Sequence, residues 1–212
     1  MKSNNNGRAK PRPMKNNGKR MPRRLPEVLT EEEQSRLLAV LEGDDPSSTR
    51  GRAIVRVLLN TGLRASELIN LQVRDINWTT GDFLVHGKGG KDRVLALSDA
   101  DLDLLKSYLG PSGILSSGNR PVFTSLDGQR PLNGRVLRRW IKRLGEKAGI
   151  THRVYCHGFR HTLAVDLLRA TNSLKTVQDC LGHENITTTT IYARLVNGEV
   201  KNALKSLRGE AK

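Results

Sequence analysis

Residues 61–68 have the sequence TGLRASEL, and they join two helical patterns. Upstream, apolar residues over 54–58 recur at helical spacing. Gly62 ends this pattern, because glycine readily adopts the left-handed conformation that terminates helices. A short helix restarts after it, which places Arg64 at the junction between two helices. Glu67 follows three residues later, close enough on a helix to orient the Arg64 side chain.

Outward from this junction, the pattern predicts an α+β fold that is mainly helical, with one small antiparallel sheet. A capping box of Thr30 and Glu33 predicts an upstream helix, so the folded part starts near Glu27. Downstream, 83–86 and 93–97 are short strand-like runs separated by a glycine- and lysine-rich segment. We therefore expect a hairpin with a flexible, basic tip.

The remaining chain is predicted to be helical apart from one loop. The Gly/Ser/Pro-rich stretch 110–120 is expected to be a loop that leads to a short strand at 122–123. We assign the apolar stripe of the helix after Asn133 to the core; it comprises Val136, Leu137, Trp140, Ile141 and Leu144. The predicted helices are Ser98 to Leu109, a helix opened by Asn133, about 158–170, 173–181 and 186–195, and a final amphipathic segment over 200–207.

The charge balance favours a polyanionic partner. The chain has 36 Lys and Arg against 21 Asp and Glu, a net charge of +15. Nine of the basic residues and no acidic one lie in residues 1–26, which we interpret as a flexible tail because it is nearly devoid of apolar residues. Two interpretations of the tail stay open, a solubilising or targeting segment and an arm that follows the DNA backbone.

Composition also excludes several classes of protein. No apolar run approaches the roughly 20 residues that span a bilayer, and the basic N-terminus lacks the apolar region of a secretory signal. The only cysteines are Cys156 and Cys180, which gives no disulfide framework. These features predict a soluble, intracellular protein of the cytoplasm that needs no membrane.

Two further segments carry residues suited to phosphate chemistry. The sequence HGFRH at 157–161 reaches a helix N-terminus, where free N–H groups and the helix dipole favour an anion. Alone, it is compatible with an ordinary basic helix start. Leu181-Gly182-His183 is followed by Tyr192 nine residues after the histidine. Alone, that tyrosine is compatible with a packing role.

Taken together, these segments resemble the tyrosine recombinase family, also called phage integrases. Residues 61–68 resemble its first arginine motif, Gly87-Lys88-Gly89-Gly90-Lys91 its lysine hairpin, and 157–162 its His-x-x-Arg box. Leu181-Gly182-His183 and Tyr192 resemble its closing pair. Their order and separations fit over roughly residues 27–200, so the resemblance implies a catalytic domain of that family over 27–212.

The resemblance implies a metal-independent attack on a DNA phosphodiester. Arg64 and Arg160 would hold the non-bridging oxygens, since guanidinium groups bind them bidentately and stay charged. His183 would donate a hydrogen bond to the same oxygens. Tyr192 would be the nucleophile, and His157 would accept its proton. Neither a metal nor another cofactor is required.

Other residues are expected to support the reaction. Lys88 would protonate the departing sugar oxygen, with Lys91 as the competitor for that role. Glu67 would orient Arg64, while His161 has two interpretations, a similar supporting contact or a partly buried structural histidine. The residues expected to bind DNA are Lys91, Arg93 and, in the tail, Lys15, Lys19, Arg20, Arg23 and Arg24.

The implied product is a 3′-phosphotyrosyl link with a free 5′-hydroxyl, which stores the bond energy for rejoining without ATP. The expected partners are double-stranded DNA, copies of the same chain in a DNA-bound dimer or tetramer, and accessory DNA-binding proteins. The protein is expected to associate with the nucleoid. Most relatives carry a helical DNA-binding domain before the catalytic one, whereas only the tail precedes Glu27 here. The segment 199–208 is expected to pack on its own core or on a neighbouring protomer.

Three alternatives remain at this stage. A zinc site could use Cys156, His157, His161, Cys180 and His183, with Cys180 and His183 in a C-x-x-H spacing. A type IB topoisomerase-like enzyme would relax supercoils with similar chemistry. By the family resemblance, however, His157 favours a recombinase, because those topoisomerases usually have lysine at this position. A regulator that binds DNA without catalysis is the third, against which the complete set of six catalytic residues argues.

Overall fold

The computed structural model describes residues 26–87, 90, 92–115, 119–128, 130–182 and 186–207. Helices dominate this part of the chain, and one two-stranded antiparallel sheet accompanies them, which confirms the predicted fold class. The elements are α1 (Glu31–Ala39), α2 (Pro46–Thr61), α3 (Ala65–Asn70), β1 (Asp82–Val85), β2 (Arg93–Ala96), α4 (Asp99–Leu115), α5 (Gly134–Lys147), α6 (Cys156–Thr171), α7 (Leu174–Leu181) and α8 (Ile186–Leu207).

The predicted break between α2 and α3 is present. Gly62 ends α2 with a left-handed φ of 61°. A Cβ atom there would lie 2.9 Å from side-chain atoms of both Leu163 and Leu181. Glycine is therefore favoured by the backbone conformation, and any larger residue would also displace the ends of these two leucine side chains. The tight fit brings the end of α2 against α6 and α7, and Arg64 follows as the residue that caps α3.

The hairpin is also present, with bounds shifted by one residue. β1 and β2 pair antiparallel, with Phe83 opposite Leu95 and Val85 opposite Arg93. His86 and Leu97, which end the predicted runs, lie just outside the strands. Arg93 thus opens the second strand, directly after the predicted basic tip. Lys88 and Lys91 at that tip lie outside the described residues.

Two predictions about 110–123 are wrong. Residues 111–115 are helical and extend α4 past a break at Gly110, where φ is 66° and ψ is 169°. Residues 122–123 form no strand; isolated bridges pair Gln72 with Pro121 and Thr124 with Pro131 on either side of them. Each bridge is held by backbone hydrogen bonds of residues beside the proline, such as Val122 N–H to the Leu71 carbonyl and Leu132 N–H to the Phe123 carbonyl.

Helix α5 forms where predicted, but one member of its stripe is misassigned. Leu137, Ile141 and Leu144 are buried at helical spacing, as expected. Val136 is 53% exposed and does not belong to the core. It lies one residue, or about 100°, away from the buried Leu137, which puts it outside the narrow stripe that α5 presents to the protein.

The last three helices pack on one another around a small apolar cluster. Helix α8 is continuous, whereas the sequence predicts two segments with a break near 195–200. Its residue Tyr192 faces inward, and only 1% of it is exposed. The cluster comprises Ala164, Val165 and Leu168 of α6, Val177 and Leu181 of α7, and Tyr192. Among the described residues, none of the helices combines the length and apolar character needed to cross a bilayer.

Candidate active site

Four segments that are distant in sequence meet beside the end of α7. They are the α2–α3 junction, the start of β2, the first turns of α6 and the last residues of α7. Two arginines join them, Arg160 from α6 and Arg93 from β2. Arg160 donates to the carbonyl groups of Gly62 and Leu181, and Arg93 donates to that of Cys180. Carbonyl groups at helix ends are available because they lack partners within their own helix. The resulting cluster is basic, with the guanidinium groups of Arg64, Arg93 and Arg160 around the carboxylate of Glu67.

Arg160 is fully buried. Its Nη1 donates to the carbonyl oxygen of Gly62 at 2.9 Å, and its Nη2 donates to that of Leu181. Its buried Nε has no acceptor among the described residues. Burial lowers the pKa of Arg160 to about 10, and the nearby charge of Arg64 acts in the same direction. The guanidinium therefore remains charged near neutral pH and is held in a fixed orientation.

Arg64 and Arg93 share the carboxylate of Glu67. Nη1 of Arg64 lies 2.6 Å from Oε1, and the Arg64 backbone N–H donates to Oε2 at 2.8 Å. Arg93 donates from Nη1 to Oε1 at 3.1 Å and from Nη2 to Oε2 at 3.0 Å. These direct contacts support the expectation that Glu67 orients Arg64.

Glu67 is strongly ionised in this setting. Its burial opposes ionisation, but hydrogen bonds from Arg93 and Arg64, together with the charge of Arg93, hold its pKa at about 2. The carboxylate side chain is only 6% exposed, whereas the Arg64 side chain is 43% exposed. Glu67 is therefore buried and fixes the position of the Arg64 side chain. Arg64 is the most solvent-exposed arginine of this cluster.

The Tyr192 hydroxyl lies 3.0 Å from Nδ1 of His161. The sequence analysis assigned the proton-accepting role to His157, whereas in the structure His161 lies within hydrogen-bond distance of this hydroxyl. Burial raises the pKa of Tyr192, while the positive charge of Arg160 opposes that rise. The phenol is therefore neutral at rest, with a hydrogen-bonding imidazole in place.

His157 lies beside His161, toward the arginines. The two imidazole centroids are 4.3 Å apart with the rings nearly edge-on. Burial lowers the pKa of His157, and the charges of Arg160 and Arg64 lower it further. His157 is therefore neutral near pH 7, and its ring can accept or donate a hydrogen bond at an oxygen that the arginines bind.

Tyr192 and one arginine are covered by the surrounding chain. Arg160 is 0% exposed and Tyr192 1% exposed. Arg64, by contrast, is open to solvent, since 43% of its side chain is exposed. The described structure is thus a closed arrangement of the site.

Several predicted site residues lie outside the described residues. Lys88, Lys91 and His183 are among them, and so are the tail residues Lys15, Lys19, Arg20, Arg23 and Arg24. Arg93, predicted to contact DNA, is described, and its guanidinium is turned inward to Glu67 and to the carbonyl of Cys180.

The outer face of α5 carries positive charge that the sequence-based prediction of a DNA surface did not include. Its exposed residues include Arg135, Arg138, Arg139 and Lys142. Arg138 is close enough to Cys156 for its charge to oppose the burial that raises the pKa of that thiol. The face therefore borders the segment that starts at His157. The sequence alone could have predicted this basic face, because a helix that buries its apolar stripe exposes its remaining residues to solvent.

The structure also bears on the zinc alternative. Within the described part of the chain, no three His, Cys, Asp or Glu side chains gather in an arrangement that could hold a metal ion. Cys156 and Cys180 are both free thiols, the first buried and the second partly buried. Burial raises the pKa of both thiols, and His183, the C-x-x-H partner of Cys180, lies outside the described residues.

Known proteins resemble this chain in sequence and in fold. The family model described as "Phage integrase family" matches residues 27–198. The chain belongs to the phage integrase family. It is 36% identical over 177 residues to tyrosine recombinase XerC of Vibrio campbellii, a match that covers 83% of this chain and 56% of the relative. It is 33% identical over 174 residues to tyrosine recombinase XerC of Salmonella typhi, covering 82% and 57% respectively.

Solved structures of this family share the fold. The crystal structure of XerA recombinase matches with a TM-score of 0.72 and 32% identity, covering 90% of this chain and 66% of that one. A post-cleavage complex of XerH site-specific recombinase with palindromic difH substrate matches with a TM-score of 0.71 and 26% identity, covering 85% and 53%. The chain thus spans a little over half the length of the curated relatives named above.

Proposed function

We propose that this phage integrase family member cleaves and rejoins DNA strands in site-specific recombination. The hydroxyl oxygen of Tyr192 attacks a DNA phosphorus atom, and the bond from phosphorus to the 5′-oxygen breaks. A 3′-phosphotyrosyl link and a free 5′-hydroxyl result. In the reverse step a 5′-hydroxyl attacks the link, Tyr192 leaves, and the strand is rejoined with no net consumption of a high-energy bond.

The observation that carries this proposal is the grouping of Tyr192 with charged arginines on a family scaffold. Arg160 is near enough to Tyr192 for their charges to affect each other, and Arg64 is near enough to affect Arg160. The attacked phosphate gains negative charge on its non-bridging oxygens, and preorganised guanidinium groups stabilise that charge without a metal. The proposed roles of Arg64 and Arg160 follow from this placement.

We assign the proton acceptor to His161 instead of His157. His161 is within hydrogen-bond distance of the Tyr192 hydroxyl, and general-base transfer requires such a contact. His157, beside Arg160 and Arg64, then binds the phosphate. The proton for the departing 5′-oxygen is assigned to Lys88, and the second donor to the phosphate to His183, as the family motifs imply.

Cleavage requires an opening step. Because Tyr192 and Arg160 are both covered in the closed arrangement, we expect DNA binding to be coupled to a displacement of α8. Tyr192 is part of the apolar cluster between α6, α7 and α8, so this displacement has a packing cost. That cost keeps the nucleophile inactive before DNA binds.

Double-stranded DNA is the proposed substrate. The exposed basic face of α5 borders the site, and the related XerH recombinase has been crystallised with its difH substrate in a post-cleavage complex. We propose that the α5 face and the basic tail bind the DNA backbone, and that copies of the chain assemble as a dimer or tetramer on DNA with accessory proteins, in an intracellular compartment. Deletion of residues 1–26 is expected to weaken binding and flatten its salt dependence.

The test is formation of a covalent protein–DNA adduct. The purified chain is incubated with supercoiled plasmid and with a set of nicked duplexes, and adducts are separated on a denaturing gel. Tyr192→Phe is the matched control, because it keeps the ring and removes the nucleophile. An adduct with the unsubstituted chain alone is the expected result, and an equal adduct with Tyr192→Phe would refute the assignment.

The products distinguish recombination from the alternatives. Inversion, excision or integration that depends on a particular DNA sequence supports recombination. Relaxation of any plasmid without exchange of partners would indicate a topoisomerase-like activity instead. DNA binding with no adduct on any substrate would indicate a regulator, and stoichiometric zinc in the purified protein would contradict the roles given to His157 and His183.

A further inference from the structure

Arg93 was predicted to bind DNA outside the set of catalytic residues, and the contacts of its side chain point to another role. It opens β2, directly after the hairpin tip. Its side chain is only 10% exposed. All three guanidinium nitrogens donate to protein atoms, since Nε donates to the carbonyl oxygen of Cys180 at 3.1 Å and the two Nη atoms donate to Glu67. The guanidinium is therefore largely buried, and all of its nitrogens are engaged by protein acceptors.

Arg93 makes a bidentate contact with the Glu67 carboxylate. Each Nη of Arg93 binds a different oxygen of the Glu67 carboxylate, at 3.1 and 3.0 Å. Such a fork fixes the plane of the carboxylate as well as its position. The same two oxygens hold the side chain and the backbone N–H of Arg64. The position of the Arg64 guanidinium therefore depends on Arg93 through one intervening group.

The third contact of Arg93 reaches a different catalytic segment. Cys180 lies in the last turn of α7, whose terminal carbonyls lack partners within the helix. The same turn ends in Gly182, where an added Cβ atom would lie 3.2 Å from Cδ of Arg93. In sequence, His183 follows Cys180 by three residues. Arg93 thus packs against and binds the segment that leads directly to His183.

From these contacts we infer that Arg93 is a positioning residue for the phosphate-binding groups. It fixes Arg64 through Glu67 and holds the end of α7 at a set distance from it. Because Arg93 is itself part of β2, the hairpin that carries the Lys88 motif is anchored to the same point. This inference rests on the proposed cleavage reaction, in which Arg64 binds the attacked phosphate.

Lysine is the informative substitution at this position. Arg93→Lys keeps a positive charge opposite Glu67, so the carboxylate is not left buried without a cation. A single ammonium group cannot form the fork on Glu67 and also reach Cys180 with the same geometry. Arg56→Lys is the matched control, because Arg56 pairs at 2.6 Å with Asp101, a buried carboxylate on α4 that lies outside the cluster around Glu67.

The first measurement is the single-turnover rate of adduct formation on a nicked duplex whose scissile phosphate has been mapped with the unsubstituted chain. We expect Arg93→Lys to slow this rate about 100-fold, as misplacement by about 1 Å does at reacting centres. DNA affinity, measured by gel shift, is expected to stay close to that of the unsubstituted chain. A large loss of affinity with an unchanged rate at saturation would instead restore the DNA-contact role.

The second measurement separates positioning from a general loss of stability. A methylphosphonate at the scissile position replaces one charged non-bridging oxygen with a methyl group, so less negative charge develops for Arg64 to stabilise. If Arg93 acts through Arg64, the rate gap between Arg93→Lys and the unsubstituted chain narrows on this substrate. A purely structural role predicts the same gap on both substrates and a similar defect in Arg56→Lys.

The outcomes also separate this inference from the proposed function. No adduct with the unsubstituted chain on any duplex would refute the proposed function. An adduct that forms equally fast in Arg93→Lys, while Tyr192→Phe forms none, would refute the positioning role and leave the cleavage reaction standing.

Discussion

The hydroxyl of Tyr192 and Nδ1 of His161 are 3.0 Å apart, which joins α8 to the second turn of α6. The contact links the proposed nucleophile to an imidazole that can accept its proton. It is made beside an apolar cluster, where burial raises the pKa of the phenol. This hydrogen bond holds Tyr192 in place and, in the proposed reaction, would prepare its deprotonation.

Tyr192→Phe is expected to abolish the covalent adduct and leave the fold intact. The phenyl ring fills the same space between α6 and α7, and the change removes the hydrogen bond to His161, which contributes about 1 kcal/mol to the free energy of unfolding. Denaturant titration measures the stability change, and a denaturing gel measures the adduct. A substituted protein that unfolds at far lower denaturant would mean that the missing adduct reflects misfolding.

His161→Gln is expected to slow adduct formation by about 100-fold, the lower range of what a positioned general base contributes. His157→Gln tests the assignment from the sequence, and single-turnover cleavage compares the two. His152→Gln is the matched control, since His152 contacts Glu33 at 3.2 Å, next to α1 and outside the site. If imidazole buffer restored cleavage by His157→Gln in a pH-dependent way and had no effect on His161→Gln, His157 would be the acceptor.

Glu67→Gln is expected to remove a pH-dependent part of the stability. The folded-state pKa of Glu67 is about 2 against an ordinary value of 4.5, which corresponds to about 3 kcal/mol of stabilisation. Since the folded pKa is the lower one, this contribution is complete above about pH 4.5 and is lost as the pH falls toward 2. The stability gap between the two proteins, measured by denaturant titration at a series of pH values, should therefore narrow over that range.

The matched control for that experiment is Glu146→Gln. Glu146 pairs with Lys142 at 3.4 Å on the surface of α5, and both side chains are more than half exposed. Exposed ion pairs contribute little to the free energy of unfolding. The stability difference between Glu146→Gln and the unsubstituted chain should therefore stay below about 1 kcal/mol at every pH. A gap for Glu67→Gln that stayed constant from pH 7 to pH 2 would show that the carboxylate is not held ionised by the arginines.

Local sequence signals were sufficient for much of the fold. The capping box of Thr30 and Glu33 forms with hydrogen bonds of 2.9 and 3.2 Å, because its partners are three residues apart. Gly62 ends α2 for an equally local reason, its left-handed backbone. Both features depend on neighbours in the chain, and the local sequence therefore predicts them.

The errors arose where distant segments decide the outcome. Arg93 has the sequence setting of an exposed hairpin residue, yet Glu67 and Cys180, 26 and 87 residues away, turn it inward. His161 lies next to Tyr192 only because α6 and α8 pack side by side, and the motif spacing contains no such information. Val136 follows helical periodicity but falls outside the surface that α5 buries.

The basic face of α5 gives a prediction about salt. Arg135→Gln combined with Arg138→Gln removes two exposed charges from this face, next to the segment that starts at His157. Each phosphate contact contributes roughly 0.9 to the slope of log K against log salt concentration, because bound cations are released from DNA. The double variant should therefore bind DNA more weakly and with a slope that is lower by up to about 1.8. Lys106→Gln on α4, whose lysine is exposed beside Asp103 at 3.5 Å, is the control, and a slope equal to that of the control would place the DNA away from α5.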